Sequence, residues 1–413
     1  MGLRSKKRQD GLDAAYGERK SHEIKLRRFA YYVLKALGVR PSRGFPDYVE
    51  FYPPVRSAAE FADLSARVSC CLGDLGIPLY LPGERFELEP SNAPYMEPAL
   101  VKDPGWVEAP PDGRSFLIVH RTTPKSVARL VTHRGLGAVN TDVNLFERSD
   151  LQYWTIRDRL APPNYPDATA SIAKLEARFA DATKSFVLAT GPSAKTVDLQ
   201  SVAADVRITC NSAVQDDALL EAFKPNVLAF SDPVFHFGPS RYAAAFRRDM
   251  VNVAKTYDAL LICGSDWVGP LLSLHPELEQ NLCVIQHRDG GEWRWPTDAE
   301  PTVRGSISVL PNLMLPIALM LTDDVSVAGV DGRQPGENYF WKHGTQYSDD
   351  LMKSAFDAHP AFFRDREYDD FYDEYCEHLE EFISVAESRG KTVRGAAPSW
   401  IPAFRKRGAS EPT

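Results

Sequence analysis

The chain lacks several patterns that would decide its class at once. Its six cysteines, Cys70, Cys71, Cys210, Cys263, Cys283 and Cys376, include no C-x-x-C pair. That removes the usual spacing of a zinc or dithiol redox site. No apolar run reaches the roughly 20 residues that span a bilayer; the most apolar long segment, Ile307–Leu321, is shorter and contains Pro311 and Pro316. No G-x-G-x-x-G and no Lys-Ser/Thr-ended phosphate loop occurs, so the dinucleotide fingerprint and the Walker A loop are both missing. There is no basic excess either: 48 basic and 56 acidic residues give a formal charge of -8. That balance argues against nucleic acid as the main partner, yet leaves room for a basic pocket around one phosphorylated small molecule.

What remains is an ordinary globular composition, 44% hydrophobic and 25% charged over 413 residues. At about 150 residues per domain, two domains are expected. Met1–Arg8 is basic and is followed by no apolar stretch with a cleavage site, so a cytoplasmic protein is expected. The basic ends, Arg4–Arg8 and Arg405–Arg407, are candidates for peripheral contact with an anionic inner leaflet; solvated termini are the commoner reading. Cys210, Cys263 and Cys283 lie in or beside apolar runs and read as buried thiols.

Periodicity divides the chain into a basic leader and helix (1–40, the helix Ile24–Ala36), an α/β region (41–165), a larger α/β region (166–404) and a basic tail (405–413). In the first α/β region, Tyr48–Tyr52, Pro78–Leu81, Phe116–His120 and Gly137–Asn140 read as strands. Ala58–Leu75 and a segment opened by Pro124 read as helices, and Glu87–Gly113 as a loop. Pro162, Pro163 and Pro166 mark the boundary, and a helix Ala168–Ala180 follows. Beyond it the expected strands are Phe186–Ala189, Val206–Cys210, Val227–Ser231, Leu260–Cys263, Cys283–Ile285, Val325–Ala328 and Thr392–Arg394. The expected helices are Asp216–Phe223, Arg241–Val253, Ile307–Leu321 and Tyr368–Ser388. Short apolar strands separated by helices predict a Rossmann-like, doubly wound parallel sheet in the C-terminal half, with a second, smaller α/β domain at the N-terminus. Such sheets bind ligands beyond the carboxyl ends of their strands.

Those ends are polar. The first strand of the larger sheet runs into Ala189-Thr190-Gly191-Pro192-Ser193, where Gly191 permits close backbone approach and Ser193 is placed to cap a following helix. Open N–H groups at a helix start suit a phosphate; an ordinary tight turn is the plainer alternative. The second strand ends in Asn211-Ser212, the third in Ser231-Asp232-Pro233 and the sixth in Gly329-Val330-Asp331-Gly332-Arg333. Each has a turn-chemistry reading, but together they favour a ligand cleft. Gln286–Arg304 reads as a lid or binding loop, with Arg304 at a helix start. Asn338–Arg366 is rich in aromatics and histidine, and His359 is preferred over His343 as a general base.

Thr190-Gly191-Pro192-Ser193, Cys210-Asn211, Arg304-Gly305-Ser306 and Gly329-Val330-Asp331 stand in the order of the signatures of the bacterial CMP-sialic-acid-dependent sialyltransferases, and Lys184–Phe404 resembles that family. The wider group includes flagellin nonulosonate transferases and 6-hydroxymethylpterin diphosphokinase-like proteins. The resemblance implies a CMP-sugar donor, a glycan or glycolipid acceptor, no cofactor and no metal. It places Gly191, Pro192 and Ser193 at the CMP phosphate and ribose, Asn211 on the nucleotide and Arg304 near the phosphate or acceptor. It puts Tyr339 on the departing phosphate and His359 in the role of base. Ser212, Asp232, Asp331 and Arg333 complete the expected site, with the N-terminal region shaping the acceptor.

Two positions depart from the family pattern. Thr190 stands where the family usually has Asn, and Arg333 near where it has Tyr after the Gly-x-Asp motif. The sugar is therefore open among sialic acid, Kdo and another nonulosonate. Two rivals stay in view. One is an ATP- and magnesium-dependent pterin diphosphokinase using Asp232, Asp331 and Asp266; the other is a non-catalytic nucleotide-binding protein.

Overall fold

The computed structural model describes residues 45–145, 153, 156–157, 160, 167–265, 268–333, 348–364 and 368–411. The leader and its helix, the boundary prolines, Asp266, Tyr339 and His343 lie outside them. The chain divides into two compact units. One is Met1–Leu160 with Phe356–Arg366; the other is Ala161–Ala355 with Glu367–Thr413.

The first unit holds a five-stranded sheet: β1 (Tyr48–Tyr52), β2 (Leu79–Tyr80), β3 (Trp106–Val107), β4 (Ser115–Val119) and β5 (Gly137–Asn140). Its order is β3-β2-β1-β4-β5 and every pairing is parallel. Helix α1 (Ala58–Cys71) follows β1. Ser57 caps it by accepting the Glu60 amide at 3.2 Å, and Phe61, Leu64 and Val68 face inward at helical spacing. It stops four residues short of Leu75. Helix α2 (Pro124–Thr132) starts with a reciprocal Thr123–Ser126 capping box and a proline in its first turn. The segment expected to be a loop, Glu87–Gly113, contains β3. Trp106 anchors that strand: its ring meets Phe51 edge-on at 5.0 Å and its indole N–H donates to Ser65 Oγ at 3.1 Å. Two residues of strand are too short to show as periodicity.

The second unit is an α/β doubly wound parallel sheet of eight strands: β6 (Lys184–Leu188), β7 (Val206–Cys210), β8 (Val227–Ala229), β9 (Leu260–Gly264), β10 (Leu282–Arg288), β11 (Thr302–Arg304), β12 (Asp324–Ala328) and β13 (Thr392–Gly395). The order is β11-β10-β9-β8-β7-β6-β12-β13. All five residues of β9 are buried, as a strand covered on both faces requires. Cys210, Cys263 and Cys283 are buried in this sheet, and burial raises the Cys210 thiol to about 12. Two expectations change. The Gln286–Arg304 stretch is not one loop, because β10 continues to Arg288 and β11 pairs beside it, Arg288 opposite Arg304. The apolar run before Leu321 is not one α-helix: Leu310–Met314 is a π-helical turn and α3 (Leu315–Leu321) follows. Pro311 and Pro316 bring no N–H, so the ladder there is interrupted.

Helix α4 (Tyr368–Ser388) buries Leu379, Phe382, Ile383 and Ala386 against the sheet. Among the described residues no helix is long and apolar enough to cross a membrane.

One buried group couples this core to pH. Asp232 caps the short helix Pro233–His236, accepting from Val234 N at 2.9 Å and Phe235 N at 3.0 Å. His236 Nδ1 accepts the Asp232 amide at 2.9 Å, and its ring lies 4.1 Å from Phe246. Burial lowers the imidazole to about 4, so it is neutral in the folded protein at pH 7. Its unfolded counterpart titrates near 6.5. As pH falls from 6.5 toward 4 the unfolded chain takes up the proton first and stability falls; below 4 the loss levels off. Across that window His236 should cost about 3 kcal/mol. Urea titrations at steps from pH 7 to pH 4 should show that decline, and His236→Asn, which keeps an acceptor without the titration, should flatten it.

Candidate functional site

β6 and β12 lie side by side, and the chain leaves them toward opposite edges of the sheet. A crevice beyond their carboxyl ends is the expected ligand position in a doubly wound fold. Here the two strand tails meet directly. The Ala189 amide donates to Ala328 O at 2.9 Å and the Gly191 amide to Gly329 O at 2.8 Å. A Cβ on Gly191 would stand 2.0 Å from Asp331 Oδ2 and 2.5 Å from Gly329 O. Gly329 has φ +72°, and a Cβ there would stand 2.2 Å from Ala189 O. Contact requires glycine at 191, whose φ is −70°, and contact and conformation together require it at 329.

Beyond the meeting point the chain makes a single 3₁₀ turn, Pro192–Thr196, where a helix capped by Ser193 was expected. Ser193 does not cap it. Its amide donates to Asp331 Oδ1 at 2.9 Å and its hydroxyl to Asp331 Oδ2 at 2.9 Å. On the other side the Asp331 carbonyl accepts the Trp400 amide at 2.7 Å. A protein carboxylate thus occupies the N–H position where sequence reasoning would put a phosphate. The group presented here is an acceptor that suits a ligand hydroxyl; a phosphate at the same spot would meet like charge. Thr190 is half-buried and Pro192 exposed beside it.

Asn211 ends β7, the strand next to β6. It opens another 3₁₀ turn, Asn211–Gln215, with φ +50°, which Asn tolerates better than most side chains. Its Oδ1 is buried without a hydrogen-bond partner among the described residues. A buried acceptor left open is costly and asks for a donor. Ser212 follows, half-buried, in the same turn. Asp232 is used as a helix cap at the end of β8, three strand positions from β12. At about 4.8 Å per strand, Asp232 and Asp331 stand too far apart to share one magnesium ion.

Helix α4 connects the strand ends. Tyr372, Tyr375, His378 and Glu381 recur every third residue, and each step advances about 4.5 Å along the axis. The Tyr372 ring lies under the Arg333 guanidinium at 4.7 Å, and its hydroxyl accepts the Arg333 amide at 3.4 Å. Tyr375 hydrogen-bonds Ser308, and burial raises its phenol well above the usual range. His378 Nδ1 meets Ser306 Oγ at 3.0 Å. Glu381 accepts the Trp293 indole N–H at 2.6 Å and pairs with Arg304 at 3.5 Å. Arg304 also stacks over Trp293 at 4.3 Å. It ends a strand and starts no helix, and it is five strand positions from β6, about 24 Å. The structure does not bring it to Gly191.

His359 is 3% exposed and belongs, with Phe356–Arg366, to the first unit. On α4, His378 stands about 9 Å along the axis from Tyr372, the residue packed on Arg333, and burial lowers its titration below the ordinary histidine value. Sequence reading passed over it because α4 carries strong core periodicity. The three-residue spacing of Tyr372, Tyr375, His378 and Glu381 is the signal that would have found it.

The tail crossing makes a stability prediction. Gly329→Ala adds both left-handed strain and a collision with Ala189 O. Gly290 has a similar φ, +69°, with open space around the position of a Cβ. Gly290→Ala should cost about 1 kcal/mol from conformation alone, and Gly329→Ala at least about 2 kcal/mol more. Urea denaturation of the two variants measures the difference.

No protein-family model matches the chain, and no curated protein matches it. Solved structures with partial likeness are sialyltransferases of Campylobacter jejuni. CstII in complex with the substrate analogue CMP-3FNeuAc is 13% identical, over 55% of this chain and 86% of that one, with TM-score 0.34. CstII in complex with a trisaccharide acceptor and CMP is 14% identical over the same shares, with TM-score 0.33. The monofunctional alpha-2,3-sialyltransferase Cst-I is 11% identical over 52% of this chain and 76% of that one, with TM-score 0.32. Likeness at this level transfers no residue role.

Proposed function

We propose that the second unit is a glycosyltransferase domain that takes an acidic sugar from a CMP-sugar and passes it to a hydroxyl of a glycan or glycolipid. The observation that carries the reading is the pairing of acceptors beyond adjacent strands: the Asp331 carboxylate at the β6/β12 crossing and the open Asn211 oxygen at the end of β7. A nucleoside offers what they need, a sugar diol for the carboxylate and an exocyclic amine for the amide oxygen. Arg333, at the end of the same tail as Asp331, supplies the cation a leaving phosphate requires.

In this reading His378, neutral at pH 7, is the base. It takes the proton of the acceptor hydroxyl while that oxygen bonds to the anomeric carbon of the donor. The bond from that carbon to the phosphate oxygen breaks, and the electron pair leaves on CMP. Charge grows on the phosphate as the bond breaks, so an arginine placed there stabilises the transition state more than the ground state. The sequence resemblance of Lys184–Phe404 supports the choice of CMP among nucleotides.

The test combines binding and turnover. CMP without magnesium should raise the melting temperature of the full chain. Asn211→Ala and Asp331→Asn should each weaken CMP about tenfold or more, the scale of a hydrogen bond to a buried or charged group. His378→Asn should leave CMP binding intact and abolish transfer from CMP-sialic acid or CMP-Kdo. Stabilisation by ATP only with magnesium would replace this reading with phosphoryl or pyrophosphoryl transfer. Absence of any nucleotide response would overturn it, and full turnover in His378→Asn would remove the base assignment.

A further inference from the structure

The first unit repeats the doubly wound logic by itself. Its order, β3-β2-β1-β4-β5, places β1 beside β4, and the chain leaves them toward opposite edges. A ligand crevice is expected beyond those two carboxyl ends. A cavity of about 230 Å³ lies there, lined among others by Arg56 after β1, Arg121 after β4, Thr141 after β5, and Glu60, Asp63 and Tyr95. At about 30 Å³ per water, it has room for about eight waters, or one sugar ring.

The lining is charged but balanced. Arg56, Arg67 and Arg121 face Glu60, Asp63 and Asp357; of the other titratable groups in the lining, Tyr95 and Tyr153 are phenols, and burial lowers His120. Two of the three carboxylates, Glu60 and Asp63, are bound to guanidinium. Glu60 Oε2 accepts from Arg56 N at 2.8 Å and Arg56 Nε at 3.2 Å, and Oε1 from Arg121 Nε at 2.6 Å. Asp63 accepts from Arg67 Nε at 2.9 Å, Arg67 NH2 at 3.0 Å and the Tyr95 hydroxyl at 3.0 Å. An incoming anion would gain little here, because the cations are matched.

Capacity for neutral hydrogen bonding is left over. Glu60 Oε1 and Asp63 Oδ2 each take one described bond and have a second lone-pair direction. Arg121 uses Nε on Glu60 and NH2 on Pro54 O at 2.8 Å, leaving further N–H donors. Arg56 uses one side-chain N–H and is 69% exposed. Unfilled acceptors beside unfilled guanidinium donors match hydroxyl groups, each of which donates once and accepts twice.

We propose that the first unit carries its own binding site, at the β1/β4 ends, for a neutral polyhydroxylated ring, either a hexose unit or the ribose of a nucleoside. The site lies within that unit and does not rest on the reading of the second.

The test uses the full chain and ligand-observed saturation-transfer NMR. The probes are the methyl glycosides of glucose, galactose and N-acetylglucosamine, with cytidine and inorganic phosphate alongside. At least one glycoside or cytidine should bind. Its affinity should fall about tenfold in Arg121→Lys, which keeps the charge and removes the fork, and in the exposed Arg56→Ala. It should be unchanged in Gly290→Ala, an exposed position of the second unit. Glycoside binding with no cytidine effect assigns a hexose, and the reverse assigns the ribose. Binding of phosphate alone overturns the neutral-ligand assignment. No binding, or binding that ignores both arginine variants, overturns the site. CMP is absent throughout, and cytidine is scored in an Asn211→Ala/Asp331→Asn background that lacks the second unit's nucleoside-binding groups, so failure here and failure of the transferase reading are separate outcomes.

Discussion

The second unit's candidate site depends on two backbone segments passing closer than side chains allow. Gly191 and Gly329 have no Cβ where one would overlap a carbonyl or a carboxylate. That approach is what lets Asp331 reach the Ser193 amide and hydroxyl. It also fixes the electrostatics, since the strand ends present a bound carboxylate in place of open N–H groups. In the proposed reading, a ligand brings hydroxyls and a donor to this crossing and keeps its phosphate toward Arg333. Helix α4 works along the same edge. Its three-residue stripe touches Arg333, Ser308, Ser306 and Arg304 in turn, so one rigid element sets the spacing of groups that come from distant parts of the chain.

Much of this could be read in the sequence where burial and periodicity agree. The strands β1, β5 and β7 were expected over their observed residues, and the glycine-bearing tails were singled out because small polar residues at several strand ends are unusual together. Parallel pairing followed from apolar strands alternating with helices. Less could be read where structure depends on pairing across the fold. β3 and β11 are two and three residues long and acquire strand geometry only from their neighbours. Arg304 looked like a helix start because the apolar run follows it, yet Pro311 and Pro316 break that run into a π turn and a short helix.

At the candidate site, the sequence pointed to residues but not to their bonds with one another. Ser193 and Asp331 were both named, but as separate ligand contacts; their bond to each other follows from two tails crossing, which spacing does not encode. Asp232 was named for a ligand and serves as a cap. His359 was preferred from local composition, and the compact unit it joins is set by contacts some 200 residues away in sequence, such as Ala361 N to Val143 O at 3.2 Å. The repeat of the same sheet logic in both units was visible only once strand order was known, since order is a property of the assembled sheet.

The eleven residues Phe356–Arg366 have a consequence for how the molecule can be divided. They belong to the first unit although both flanking segments belong to the second. Arg67, 3% exposed on its side chain, donates to the Ala358 carbonyl at 2.6 Å, and Pro360 lines the first unit's cavity. A fragment ending at Leu160 would lose that carbonyl and leave a buried guanidinium short of an acceptor. The chain passes between the units three times, so neither can be excised by a single cut, and gene fusion or exchange at the apparent boundary would carry away part of a wall.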